Sequence, residues 1–403
     1  MPTGSISVSE AFAIIADHLV DFGIEEISLN ASQGRILRED IFADRDMPPF
    51  DRVAMDGIAV QFASIEKGIR EFHIAGMVAA GSIPATLSGE NDCMEIMTGS
   101  ALPPGADTII PYEWLTINNG KALLQKDQIK KGQNIHRKGN DRSKGDLLIR
   151  KGNIVGPGQT GILASVGKSR VQVGALPRIL IISTGNELVK VEAEPLAHQL
   201  RASNASQIEA ALMLMNIPSR VMHYNDDFNV ILDGLKENLP KYDVIIISGG
   251  MSAGKFDFIP EALKDAGVKQ HFYKVKQRPG KPFLFGSHPD GCVVFGIPGN
   301  PVSSYLCYVR YIRPWLELCL KKEQSPPTFA KLAEDVSFLP ALTYFLTVQL
   351  QQNNNAETIA IPMKGHGSGD LTILADADAF MELPEERDLF HAGEIFPCYR
   401  FSF

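Results

Sequence analysis

The 403-residue chain is poor in cysteine, in net positive charge and in long apolar runs, and each shortage excludes a class of protein. Its five cysteines, Cys93, Cys292, Cys307, Cys319 and Cys398, are scattered without CxxC spacing. Neither a zinc knuckle nor a disulfide framework is indicated, and reduced core positions are expected. No run approaches the roughly 20 apolar residues a membrane helix needs, and MPTGSISVSEAF lacks a charged start followed by an apolar stretch. A cytoplasmic protein without a membrane partner is expected. The formal charge of −8, with no block of lysine or arginine, excludes a general nucleic-acid binder. Internal repeats are missing, as is low complexity beyond the polar turn QQNNN.

What is present is enough apolar content, 44%, for packed cores, and enough length for two to four domains. Ser7 and Glu10 form a capping-box pattern ahead of AFAIIADHLV, predicting a helix that buries Phe12, Ile15, Leu19 and Val20. A second helix is expected over 34–41, before the proline-bearing RDMPPFDRVAMDGIAV. Short strand-like, glycine-punctuated segments then suggest a β-rich module over 46–145, inserted into a helical domain of residues 1–45 and 146–176. Residues 177–325 alternate strand and helix, which predicts a doubly wound parallel sheet. After the SPP linker, residues 326–403 read as a small β-barrel.

Three glycine-rich breaks, SGGMSAGKFD, QRPGKPFLFG and GIPGNPVSS, carry the functional signal. The first and last follow buried-strand runs, and Gly249 and Gly250 permit unusual dihedrals just before FIPEAL starts a helix. Ligands of open α/β sheets sit beyond the carboxyl ends of the strands, where loop N–H groups attract negative charge. The breaks, with Lys274, Arg278 and Lys281 nearby, therefore point to a phosphate-bearing ligand; a strand edge protected by lysines is the rival reading. Glu187, Asp226, Asp227 and Asp257 fall beyond strand ends in the same domain. Carboxylates beside a phosphate cradle repel it unless a divalent cation bridges them, so Mg²⁺ at Glu187 and Asp257 is expected, with helix capping by either residue as the alternative. Two stiff loops outside this domain also mix acid with glycine, around Asp56 and around Thr98, and Asp56-Gly57 could equally mark a hairpin turn.

PPFDRVAMDGIAV, IMTGSALPPGAD, ISTGNEL, ISGGMSAGKFD, RPGKPFLFG and GIPGNPVSS, in this order and spacing, closely resemble the MoeA family of molybdopterin molybdenumtransferases. The resemblance implies an elongated four-domain homodimer in which the α/β domain binds adenylylated molybdopterin, in a cleft completed by the β-module of the second subunit. It further implies cleavage of the adenylate in a step needing a divalent cation, and insertion of molybdate into the pterin dithiolene. Carried over by motif, Asp56, Thr98, Glu187 and Asp257 are expected in catalysis. Asp226, Gly249, Gly250, Ser252, Lys274, Arg278, Lys281, Pro298, Gly299, Asn300, Pro301, Asp141 and Ser368 are expected to bind substrate. A molybdopterin adenylyltransferase and molybdoenzyme apoproteins or their chaperones are the implied partners. Two positions depart from the pattern: His136 and Thr347 stand where relatives often place arginine. The competing functions are a gephyrin-type scaffold without catalysis and a nucleotide hydrolase of unrelated substrate.

Overall fold

In the computed structural model, which describes residues 4–251, 258–323 and 328–401, the apolar runs of the α/β region become neighbouring strands of one sheet. Ile179–Thr184 lies between Ser219–Tyr224 and Val244–Ser248, and Val293–Ile297 follows, all parallel. The sheet then turns mixed. Pro282–Ser287 runs antiparallel between Val293–Ile297 and Lys269–Lys274, because the second glycine break folds back as a strand. Alternation along each strand divides the core between two faces. Ile179, Ile181, Val244, Ile246 and Phe295 pack with Ile208, Leu212 and Trp315, while Leu180, Ile182, Ile245, Ile247 and Val294 pack with Ile231, Leu235, Ile259 and Leu263. Each such side chain contributes about 1.5–3 kcal/mol of burial, which explains why these runs carry almost no polar residue.

The chain separates into two compact units. One contains Met1–Arg38, Gly152–Gly156 and Arg170–Phe403, and the other Glu39–Lys151 and Pro157–Ser169. Within the first, the capping box forms as expected: Ser7 Oγ accepts from the Glu10 N–H, and the Glu10 carboxylate accepts from the Ser7 N–H at 2.8 Å. The helix Val8–Ala16 buries Val8, Ala11 and Ile15, but it stops short of Leu19, which is 41% exposed. No helix forms over 34–41. Ile36 bridges to Ile154 and Leu37 to Val173, and Arg38 N–H donates to the Gln172 carbonyl, so non-local pairing wins over a weak local helix signal.

Residues 328–401 close as a barrel of five strands, Thr328–Leu332, Thr343–Gln352, Thr358–Pro362, Ala379–Leu383 and Ile395–Arg400. Closure comes from Thr343–Gln352 pairing with both Thr358–Pro362 and Ala379–Leu383. Gln277–Arg278 adds a parallel ladder to Thr343–Tyr344, which ties the second glycine break to the barrel. In the other unit, Thr108–Pro111, Gly57–Val60, Asp92–Ile96, Glu71–Val78, Lys121–Leu124 and Leu115–Asn118 form one sheet in that order. The five cysteines are buried free thiols, and burial raises Cys93 and Cys292 to about 12. Among the described residues no helix is long and apolar enough to cross a membrane.

Candidate active site

The strand Val244–Ser248 delivers its chain into a bend that only glycine accepts. Gly249 and Gly250 hold φ of +97° and +61°. A Cβ on Gly249 would lie 2.5 Å from the Thr184 carbonyl oxygen, and one on Gly250 would lie 2.7 Å from Ile259 Cγ1. The bend is therefore bare backbone by steric necessity.

The other breaks close around it. Asn204, in the helix Ser203–Met213, donates one amide hydrogen to Ser248 Oγ at 3.1 Å and another to the Gly299 carbonyl at 2.7 Å. One side chain thus holds the first and third breaks together. Asn300 Nδ2 donates to Ser368 Oγ at 2.7 Å, and the Val302 N–H donates to the Ser368 carbonyl, so the third break is also fastened to the barrel. Gln277, fully buried, donates to the Gly280 carbonyl at 3.0 Å and accepts from the Tyr311 hydroxyl, which fixes the second break from inside.

Between these loops and the barrel lies a cleft of about 1060 Å³. Thr184, Gly185, Glu187, Asp226, Gly249 and Gly250 line it from the sheet, Arg278, Lys281, Pro298, Gly299 and Asn300 from the other two breaks, and Tyr344, Thr347, His366 and Ser368 from the barrel. The volume suits a ligand the size of a dinucleotide better than a simple oxyanion. Glu187 caps no helix: the chain continues into the short strand Leu188–Val189, and its carboxylate lies within 2.8 Å of where a Gly185 Cβ would sit. Asp226 Oδ2 accepts from the Asn186 N–H at 3.3 Å while Asn186 Oδ1 accepts from the Asp226 N–H at 3.1 Å. Its neighbour Asp227 is a helix cap, accepting from the N–H groups of Asn229 and Val230. Asp370, at the foot of the barrel loop, is held down to about 2, first by the Thr372 hydroxyl and then by the His366 N–H.

Among the expected residues, Lys274 and Pro301 are not in the cleft lining. The Lys274 ammonium lies over the Tyr273 ring at 5.4 Å, and Pro301 opens the helix Pro301–Cys307. Ser252 and Asp257 fall outside the described residues. Asp56, Thr98 and Asp141 belong to the second unit. There Asp56 Oδ1 accepts from the Thr98 N–H at 2.6 Å and from its hydroxyl at 2.8 Å, bonds that lower the Asp56 pKa. Asp56-Gly57 is not a hairpin turn: Arg52–Val53 pairs with Ile135–His136, and Gly57–Val60 with Asp92–Ile96 and Thr108–Pro111. His136 bridges Arg52, at 3.2 Å from Nδ1, and Asp141, at 2.7 Å from Nε2. A guanidinium only donates, so Nδ1 accepts and the ring proton sits on Nε2 toward Asp141.

Sequence reasoning missed Thr184, Asn204 and Tyr344. Thr184 ends an apolar run and Asn204 sits in an ordinary helix pattern, so neither carries a local signal; only the STGNEL context marked the first. Among the described residues no group of three or more His, Cys, Asp or Glu is placed to hold a metal ion. Glu187 lines the cleft, and a carboxylate oxygen is the kind of donor a hard cation takes.

Family models match most of the chain: the MoeA N-terminal region (domain I and II) over 6–167, a probable molybdopterin binding domain over 180–318, and the MoeA C-terminal region (domain IV) over 330–401. A molybdopterin molybdenumtransferase of Synechocystis is 39% identical over 397 residues, covering 98% of this chain and 99% of that protein. One from Bacillus subtilis is 32% identical, covering 94% and 90%. Among solved structures, a molybdopterin biosynthesis MoeA protein from Pyrococcus horikoshii superimposes with a TM-score of 0.82 at 29% identity, covering 99% of this chain and all of that one.

Proposed function

Because the chain belongs to the MoeA family of molybdopterin molybdenumtransferases and so serves molybdenum cofactor biosynthesis, we propose that its cleft seats adenylylated molybdopterin, splits it to release AMP, and transfers molybdate to the pterin dithiolene. The observation that carries this reading is the convergence on one cleft of two carboxylates, Glu187 and Asp226, two cations, Arg278 and Lys281, and the bare bend Gly249-Gly250.

The chain's own groups divide the work. Arg278 and Lys281 neutralise the diphosphate, the Gly250 N–H of the glycine bend orients its oxygens, and Asp226 accepts from the pterin amino group. A water oriented by a carboxylate attacks one phosphorus of the anhydride. The P–O bond to the other breaks, the leaving phosphate keeps the electron pair, and the carboxylate takes the water proton. Glu187, with Asp257, would hold Mg²⁺, which when bound supplies charge neutralisation to the phosphate oxygens. Molybdate, a dianion, is seated by donors such as Arg278 rather than by the acids. The working species is a cytoplasmic homodimer in which the β-module of the second subunit brings Asp56, Thr98 and Asp141 to the cleft.

Purified protein given Mg²⁺, molybdate and adenylylated molybdopterin should release AMP and yield cofactor that activates an apo-molybdoenzyme. Absence of AMP release would overturn the reading. Asp56→Ala separates an enzyme from a scaffold: turnover is lost while ligand binding persists.

A further inference from the structure

Thr184 ends the strand Ile179–Thr184 and lines the cleft, yet it is only 2% exposed and its hydroxyl has no hydrogen-bond partner among the described residues. Buried hydroxyls are ordinarily paired, and an unpaired one destabilises the folded protein. The neighbouring chain lies tight against it. A Cβ on Gly249 would sit 3.0 Å from Thr184 Oγ1, and one on Gly250 3.1 Å from it, so only glycine lets the bend approach the hydroxyl this closely without covering it with a side chain. The bend does not satisfy the hydroxyl either, because the Gly249 N–H is spent on the Ile297 carbonyl at 3.4 Å. Arg278 and Lys281 line the same cleft.

We propose that Thr184 is a substrate-binding residue whose hydroxyl donates to a phosphoryl oxygen of the ligand. A neutral donor at the root of a bare backbone bend, in a cleft that also holds cationic side chains, matches an anionic oxygen. Threonine is also branched at Cβ, which restricts its χ1 and leaves the hydroxyl little freedom to turn away. The folded protein thus carries a donor that is satisfied only when the cleft is filled, and part of the binding free energy is the pairing of that group. This inference rests on the reading of the cleft as the seat of a phosphate-bearing substrate.

Thr184→Val keeps the shape and removes the hydroxyl, whereas Thr184→Ser keeps the hydroxyl and removes the methyl. The KM for adenylylated molybdopterin in the AMP-release assay, and the Kd of AMP by calorimetry, should each rise about tenfold in Thr184→Val. In Thr184→Ser both should stay within about threefold of wild type. Thr184→Val should melt no lower than wild type, since the group removed has no partner in the empty protein. An unchanged KM and Kd in Thr184→Val would overturn the proposal. So would equal impairment of both variants, or a loss of binding that merely follows a fall in Tm, because each assigns Thr184 to packing. A wild-type protein that binds AMP but releases none from adenylylated molybdopterin sinks the wider functional reading, and the calorimetric comparison still decides Thr184. Wild-type protein that binds neither compound overturns both.

Discussion

Two hydrogens on one amide, that of Asn204, hold the first and third glycine breaks at their observed separation. Asn204→Asp removes both donors and turns a carboxylate toward the Gly299 carbonyl, a change worth about 1–3 kcal/mol at the cleft. The expected outcome is a fall in kcat/KM of about 10- to 100-fold with the fold retained, checked by AMP-release kinetics beside a circular-dichroism melt. Gly250→Ala acts differently: at φ +61° the new Cβ meets Ile259, and the variant should lose about 1–2 kcal/mol of stability, read as a lower denaturation midpoint. The acids and cations of the cleft were legible in the sequence because glycine, proline and charge mark loops directly. Asn204 and Thr184 were not, because a hydrogen bond between segments 44 and 95 residues apart, or a missing one, leaves no trace in local composition.

At the scale of elements, the opening helix was readable from its capping box, and its docking was not. Its C-terminal neighbour His18 packs against His271 with ring centroids 4.0 Å apart and the rings tilted by 54°, both against Phe285, and the Trp315 indole donates to the His18 carbonyl. Burial first, then the proximity of His18 and Lys269, pushes His271 down to about 4 from its usual 6.5. The folded protein therefore holds fewer protons here than the unfolded chain, and stability is intact above about pH 6.5 and declines as pH falls toward 4. Melting wild type and His271→Gln between pH 7.5 and 4.5 checks this: wild type should lose more Tm than the variant, and parallel curves would refute it. The strand formed by the second glycine break shows the opposite case. PFLFGS looked like part of a loop after RPG, but pairing with Val293–Ile297 and Lys269–Lys274 buries Phe283 and Phe285, and that burial decides its state.

For the whole molecule, the predictions concern metal and subunits. Removing divalent ions with a chelator should abolish AMP release, and Mg²⁺ alone should restore it, measured as nucleotide product over time. If each cleft is completed by the second copy, mixing inactive Asp56→Ala with inactive Asp226→Asn under conditions of subunit exchange should recover about a quarter of wild-type activity, since half the dimers then carry one intact site. No recovery would place all the acids of a working site in one chain. By itself the sequence determined the fold class, the family and the order of the motifs, since apolar periodicity, turn residues and glycine-rich loops are local properties. Only the tertiary structure decided that one strand runs against the sheet, that residues 34–41 pair rather than coil, that the barrel is stitched to Gln277–Arg278, and that an unpaired hydroxyl sits under the glycine bend. Those outcomes depend on which distant segments bury each other and on whether their polar atoms find partners, quantities set by packing between residues far apart in the chain.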